Sequence, residues 1–263
     1  MPTGPRPIGD FCWINVLTPD PDAARTYFAD LLGWTYVELP GMGHLAQVDG
    51  HDIGGVWDLA SPNTPPGTPP GIGVMVRVED ADAISARAAQ LGGTGKPAFD
   101  VGPTGRMAEV ADPVGGAIDV WQPGTSPGMT ADSSRHGVPS WIECLSHDTA
   151  RASTFYRDLF GWTAETMPMP GMDYTVFANA GAPVAGMMAI TSEMGEMPSV
   201  WLAYVTVDDV DATVARSAEL GGNVFLPAQD VPTVGRMAGL ISPQGVMFHV
   251  IRYEARAGDG GSQ

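Results

Sequence analysis

Lysine is almost missing from this chain. Lys96 is the only one in 263 residues, and 13 basic side chains stand against 30 acidic ones. A net charge of −17 leaves no basic footprint for phosphates, which excludes the usual nucleic-acid binders, and none for an anionic membrane surface. The acidic residues are scattered along the chain, which is the pattern of a solvated surface. Schiff-base chemistry is left with a single candidate, set in the stretch GGTGKPAF. Two cysteines, Cys12 and Cys144, are too few for a disulfide framework or a zinc cage. No apolar run approaches membrane-spanning length, and the first residues, MPTGPRPIGDF, have no apolar centre of a signal peptide. These absences lead to the expectation of a cytoplasmic protein with neither nucleic acid nor membrane as partner.

What is present is a globular composition, 44% hydrophobic and 16% charged, written twice. FADLLGW, ending at Trp34, returns as YRDLFGW, ending at Trp162, 128 residues on. VEDADA returns as VDDVDA at an offset of 129. GRMAEVADPVGGAIDVW, from Gly105, returns as GRMAGLISPQGVMFHVI, from Gly235, at 130. The offset creeps by two residues over the unit, so each copy is a domain and the differences are small loop insertions.

Within the first copy FCWINVL alternates as a strand does. PDPDAARTYFADLLG then carries Pro and Asp at its front, apolar residues on one face and Gly33 at its end, the signals of an amphipathic helix. Strands follow near TYVEL, HLAQV and DIGGVWDL, then the structureless loop ASPNTPPGTPPG. The pattern restarts with strand IGVMVRV, helix DADAISARAAQLGG and strands near PAFDV, GRMAEVAD and GAIDVWQ. Each copy is thus two βαβββ modules, an α+β fold. The domains are expected at 9–124 and 137–253, with a linker at 125–136 and a disordered tail at 254–263.

Paired βαβββ modules, a helix ending in LGW, and a D/S-P-x-G turn before the last strand together resemble the vicinal-oxygen-chelate superfamily. Its members include glyoxalase I, extradiol dioxygenases and bleomycin-resistance proteins. The tandem arrangement is similar to an actinobacterial group of two-domain glyoxalase-like proteins, loosely labelled hydroxylases and sometimes encoded near aromatic polyketide pathways. The resemblance implies two domains, each curling its strands into an open β-cup.

In metal-dependent members, His, Gln or Glu side chains on four strands of a cup converge on a divalent ion. Carried over by position, these places are Trp13, Gly55, Gly73 and Asp119 in the first copy, and Trp141, Gly186, Leu202 and His249 in the second. A register slip substitutes Asn15 or Glu143 at the first strand. Glycine and leucine offer no donor, so no metal and no cofactor is expected.

Alternation puts Trp13 and Asn15 on one strand face, and Trp141 and Glu143 on the matching face of the second copy, with Cys12 and Cys144 on the opposite side. Glu143 and His249 in an aromatic cup make a general acid/base pair, the carboxylate raised by burial and the imidazole raised by its neighbour. They are the expected catalytic residues, on adjacent strands within hydrogen-bond reach. Trp13, Asn15, Asp119, Trp141, Tyr174, Met187 and Arg236 are the expected substrate-binding residues. Asn15 and Asp119 alone present no base tuned near neutrality, which favours the second copy. Seven of the fourteen methionines fall between Met167 and Met197 and suit a pocket for a flat apolar ligand or ordinary core filling. Arg106 and Arg236 recur in register and either hold the turn or clamp an acidic substrate. His44, His51, His136 and His147 read as exposed or locally bonded.

The reading is an enzyme that works without metal on a small hydrophobic, aromatic polyketide-like molecule, as an isomerase, lyase, cyclase or hydratase. A sequestering protein of the resistance type is the alternative, and a metal-dependent glyoxalase or dioxygenase is disfavoured by the donor set. A covalent duplicate supplies its own dimer partner, so a monomer with an internal pseudo-dimer is expected.

Overall fold

A computed structural model describes residues 3–40, 43–62, 64, 67–169 and 171–254. The expected tail lies outside the described residues except for Glu254. The first half runs β1 (Phe11–Thr18), α1 (Pro21–Leu32), β2 (Thr35–Leu39), β3 (Gly43–Val48), β4 (His51–Asp58), β5 (Gly71–Arg77), α2 (Ala81–Gln90), β6 (Thr94–Gly95), β7 (Phe99–Asp100), β8 (Gly105–Ala111) and β9 (Ala117–Pro123). The second runs β10 (Pro139–Ser146), α3 (Thr149–Phe160), β11 (Thr163–Met169), β12 (Met172–Asn179), β13 (Ala182–Ala189), β14 (Val200–Thr206), α4 (Val210–Glu219), β15 (Asn223–Val231), β16 (Gly235–Ile241) and β17 (Met247–Tyr253).

Each half makes one sheet, ordered β2-β3-β4-β1-β5-β9-β8-β6 and β11-β12-β13-β10-β14-β17-β16-β15, with β7 paired to β8. Four βαβββ modules in two tandem cups are therefore present, as the sequence leads one to expect. One expected strand differs. PAFDV yields only the two-residue β7, because Pro97 supplies no N–H and interrupts the ladder. Pro227 stands in the same place in the second half, where β15 keeps its course by slipping register between Leu226 and Gln229.

The helices start alike: Asp20, Asp80, Asp148 and Asp209 each accept a backbone N–H three residues on. α1 and α3 end at Gly33 and Gly161, whose φ of 71° and 73° need a residue without Cβ. The apolar faces of these helices and of both sheets form one interior that spans the halves. The LGW tryptophans explain the repeated motif. The Trp34 indole donates to the Gly137 carbonyl at 2.7 Å and the Trp162 indole to the Gly9 carbonyl at 2.8 Å, so each ties its half to the start of the other. Tyr156 of α3 donates to Asp112, in the D-P-x-G turn of the first half, at 2.9 Å. Residues 125–136 are packed: Met129 and Ala131 are buried, and the buried Arg6 donates to Ala131 and Ser133. Among the described residues no helix is long and apolar enough to cross a membrane.

Candidate functional site

Strand alternation decides what each cup shows. Along β1 Phe11, Ile14 and Val16 are buried in the interior, while Trp13, Asn15 and Leu17 stay half-exposed on the concave side. A bulge between Phe11 and Trp13 breaks the alternation, so Cys12, expected on the interior face, is buried instead with Met75 and Trp121. On β10 Trp141 and Glu143 take the same places. Register settles the slip left open by sequence. Asn15 stands opposite Gly55 and Gly73, and Glu143 opposite Gly186 and Leu202, so these two, rather than Trp13 and Trp141, share a row with the glycines. Asp119 and His249 stand opposite Met75 and Tyr204.

The second cup is closed on itself. Tyr174 on β12 donates to one Glu143 carboxyl oxygen at 2.8 Å, and Tyr204 on β14 donates to the other at 2.9 Å. The Trp141 indole donates to the Tyr174 oxygen at 3.1 Å. Burial pushes the Glu143 carboxyl up, and the two phenols pull it back down. Burial and the Glu143 charge push both tyrosines up, so they remain protonated donors. His249 is only 4% exposed and lies flat on Tyr204, ring centroids 4.3 Å apart, with Phe225 edge-on at 5.1 Å. Its Nδ1 is buried and has no hydrogen-bond partner among the described residues. Burial lowers its pKa to about 3, which leaves a neutral ring at pH 7.

This geometry differs from the expected catalytic pair in two respects. β14 lies between β10 and β17, so Glu143 and His249 are not on adjacent strands, and Tyr204 links them by bonding one and stacking on the other. The imidazole is lowered rather than raised, because it loses water on burial and no carboxylate stands near enough to raise it among the described residues. Two glycines make the closure possible. A methyl at Gly186 would collide with the Tyr174 hydroxyl, and one at Gly239 with the Phe225 ring.

The first cup is open. Trp13 donates to Asn15 Oδ1 at 3.2 Å, and Gly55 and Gly73 leave the floor bare. Asp119 Oδ2 lies over Gly73, 3.4 Å from where a β-carbon would sit. Among the described residues Asp119 accepts no hydrogen bond and forms no ion pair. Its side chain keeps some accessible surface toward the mouth, while the surrounding protein strips most of its hydration. That desolvation, with Glu109 directly opposite on β8, pushes its pKa up to about 7, against a smaller pull from Lys96. A carboxyl titrating near neutrality therefore exists in the first copy, where the sequence offered none, because the value comes from tertiary burial.

Two expected binding residues are not brought to a cup. Met187 pairs with Cys144 on the interior face and is fully buried, since it is one residue out of phase with Gly186. Met188, opposite Tyr174, takes the concave side. Arg236 is three residues from the cup-facing Gly239 and so on the other face of β16. It is held by Asp211 at 2.8 Å and Asp230 at 2.9 Å, as Arg106 is held by Asp82 and Asp100. Both arginines tie a strand to the first turn of a helix. The cysteines are free and buried, and their thiols are pushed up by desolvation. His147 bonds the Met197 carbonyl and His136 lies beside Asp208. Sequence reading passes over Tyr204 and Phe225. Alternation along VWLAYVT puts Tyr204 on the face of Leu202 and is enough to find it, whereas Phe225 depends on the β15 bulge.

The donor sets do not suit a divalent ion. Each row offers two oxygen or nitrogen donors, at Asn15 and Asp119 or at Glu143 and His249. Both Glu143 oxygens are occupied by phenols, and Tyr174 fills the space a ligand at 186 would need. No group of three or more His, Cys, Asp or Glu side chains gathers among the described residues.

The chain belongs to the Glyoxalase/Bleomycin resistance protein/Dioxygenase superfamily, which matches residues 11–120 and 140–250. It is 34% identical over 247 residues to the "Putative glyoxylase CFP32" of Mycobacterium bovis, covering 91% of this chain and 93% of that protein. It is also 34% identical over 275 residues to the anthracycline biosynthesis protein DauV of Streptomyces sp. (strain C5), covering 95% and 96%. Among solved structures, an extradiol ring-cleaving dioxygenase from B. fuscum aligns with a TM-score of 0.67 at 13% identity, covering 100% of this chain and 76% of that one. The Mn(II)-bound glyoxalase from Novosphingobium aromaticivorans aligns with a TM-score of 0.64 at 14% identity, covering 94% and 85%. At such identities these structures share the fold alone.

Proposed function

We propose that this chain is a cytoplasmic enzyme of secondary metabolism that acts without a divalent ion on a small hydrophobic molecule of the aromatic polyketide kind. The similarity to anthracycline biosynthesis proteins over nearly the whole chain supports the substrate class. The observation that carries the chemistry is the Glu143 carboxyl held between two phenols. Tyr174 is half-exposed beside the half-exposed Trp141, so a flat ligand rests on the indole with the phenol oxygen in reach. A proton leaving the ligand passes to that oxygen while the phenol proton passes to Glu143, and the reverse path returns it elsewhere on the ligand. Such a relay serves an isomerase, lyase, cyclase or hydratase, none of which needs an external electron acceptor. His249, buried and neutral at pH 7, acts through the Tyr204 ring it stacks on, holding that phenol against Glu143.

Turnover of an anthracycline-type aglycone tests this reading. Glu143→Gln and Tyr174→Phe are expected to lower kcat by about 10²-fold or more, and His249→Ala to lower kcat with affinity within about tenfold. Full activity after exhaustive chelation is part of the expectation, and loss of activity restored by one metal equivalent would overturn it. A sequestering role is the second reading, favoured by the way Tyr174 and Phe225 cover the floor and leave a binding wall at the mouth. Tight stoichiometric binding with no product would decide for it. The shared interior supports a monomer, so light scattering is expected to give a mass near 27.5 kDa.

A further inference from the structure

We propose that the first cup is a separate binding site, selective for a protonated amine carried on an apolar or aromatic body. Three observations on different residues meet there. Asp119 is a carboxylate inside a concavity with neither hydrogen-bond nor ion-pair partner among the described residues, and its Oδ2 overlies the bare floor at Gly73. Asn15 stands between Gly55 and Gly73 and sends Oδ1 to the Gly55 side, 2.9 Å from where a β-carbon of Gly55 would be, where it accepts the Trp13 indole N–H and leaves Gly73 uncovered. Gly73 therefore lies bare between Asn15 and the Asp119 carboxylate. The wall beside it is apolar and aromatic, with Trp13 half-exposed and packed against the buried cluster of Cys12, Met75 and Trp121. An ammonium group over Gly73 would meet the Asp119 charge, and its carbon body would lie on the indole, where cation–π attraction adds to burial.

The second cup shows what an internally satisfied version of the same place looks like. Its carboxylate has two phenol donors, and the position of Asp119 holds the neutral His249. In the first cup the position of Tyr204 is Met75, which donates nothing. The charged groups facing Asp119 are Glu109 on β8 and Lys96 after β6, and these neutralise each other at 2.7 Å. The Asp119 charge is thus left for a ligand. This site uses none of the groups assigned to proton transfer, so it stands or falls apart from the proposed catalysis.

Calorimetry on the full chain with 2-(1-naphthyl)ethylamine and its neutral isostere 2-(1-naphthyl)ethanol tests it. At pH 8 the amine is expected to bind at least tenfold more tightly than the alcohol. Asp119→Asn is expected to abolish that preference, while Glu143→Gln keeps it. Because Asp119 titrates near 7, amine binding should weaken as pH falls from 8 to 6 and release a proton, seen as a heat that depends on the buffer; both effects should vanish in Asp119→Asn. Equal binding of amine and alcohol overturns the proposal. So does a preference that survives Asp119→Asn in a variant whose melting curve stays cooperative, since attraction to the acidic surface as a whole would then account for it.

Discussion

Asp119 and His249 stand at the same place on the last strand of each half, as do Met75 and Tyr204, Glu109 and Gly239, and Asn15 and Glu143. On the opposite faces of the same strands the pairs hardly differ: Ile14 and Ile142, Val76 and Val205, Val120 and Val250 are all buried aliphatics. The interior face admits little variation because it is close-packed, and a change of one methylene is felt. The concave face carries no such constraint, so duplication left one cup open around a carboxylate with no partner among the described residues and closed the other around a bonded one. The difference teaches that the two halves diverged at a handful of cup-facing positions while their interior faces stayed alike.

The closure can be broken at its glycines. Gly239→Ala and Gly186→Ala are expected to cost about 1–3 kcal/mol by driving a methyl into Phe225 or Tyr174. Gly73→Ala meets Asp119 only at ordinary contact distance, so it should be neutral or gain up to about 0.5 kcal/mol from reduced freedom of the unfolded chain. Urea unfolding of the three variants makes the comparison, and equal losses in both cups would end it.

Acid and alkali sharpen the contrast, since the two groups have opposite linkage. His249 binds its proton less readily folded, about 3 against 6.5, so the native state holds fewer protons between those values and stability falls as pH drops through them. His249→Phe is expected to flatten that acid limb by a few kcal/mol at most, since each pH unit between the folded and unfolded values is worth about 1.4 kcal/mol. Asp119 binds its proton more readily folded, so its penalty is absent below pH 4 and grows as pH rises toward 7. Asp119→Asn should therefore stabilise above pH 7 by about 1–2 kcal/mol, a gain held down by water at the mouth, and leave pH 4 unchanged. Guanidinium midpoints across pH 3–8 give both slopes.

The smallest effect concerns the repeated arginines. Arg236→Ala and Arg106→Ala remove exposed ion pairs and are each expected to shift the urea midpoint only slightly, without altering ligand affinity. A large affinity loss for Arg236→Ala alone would restore it as a clamp.

Much of the fold was legible because it is written in local signals. Aspartate before each helix, glycine after the first helix of each half, alternation in the strands and a repeat with an offset near 130 each have a near-neighbour cause. The same alternation picks out Trp13, Asn15, Trp141 and Glu143 as cup-facing, because side-chain direction in a strand depends only on parity. The same parity puts Met187, one residue from Gly186, and Arg236, three from Gly239, off the cup, to which methionine richness and a recurring motif point. It fails at Cys12, where a bulge in β1 breaks the alternation.

What sequence alone determined is thus the duplicated βαβββ chain, its interior face and the small set of residues that can look into each cup. Tertiary structure decided which of them meet. Tyr174 and Tyr204 reach Glu143 from two different strands, Phe225 closes over Gly239 from a bulged edge, and Asp119 gains its near-neutral pKa from the protein packed around it. Hydrogen bonds between distant strands, desolvation and ring packing are sums over neighbours far apart in the chain, and only the folded arrangement defines those neighbours.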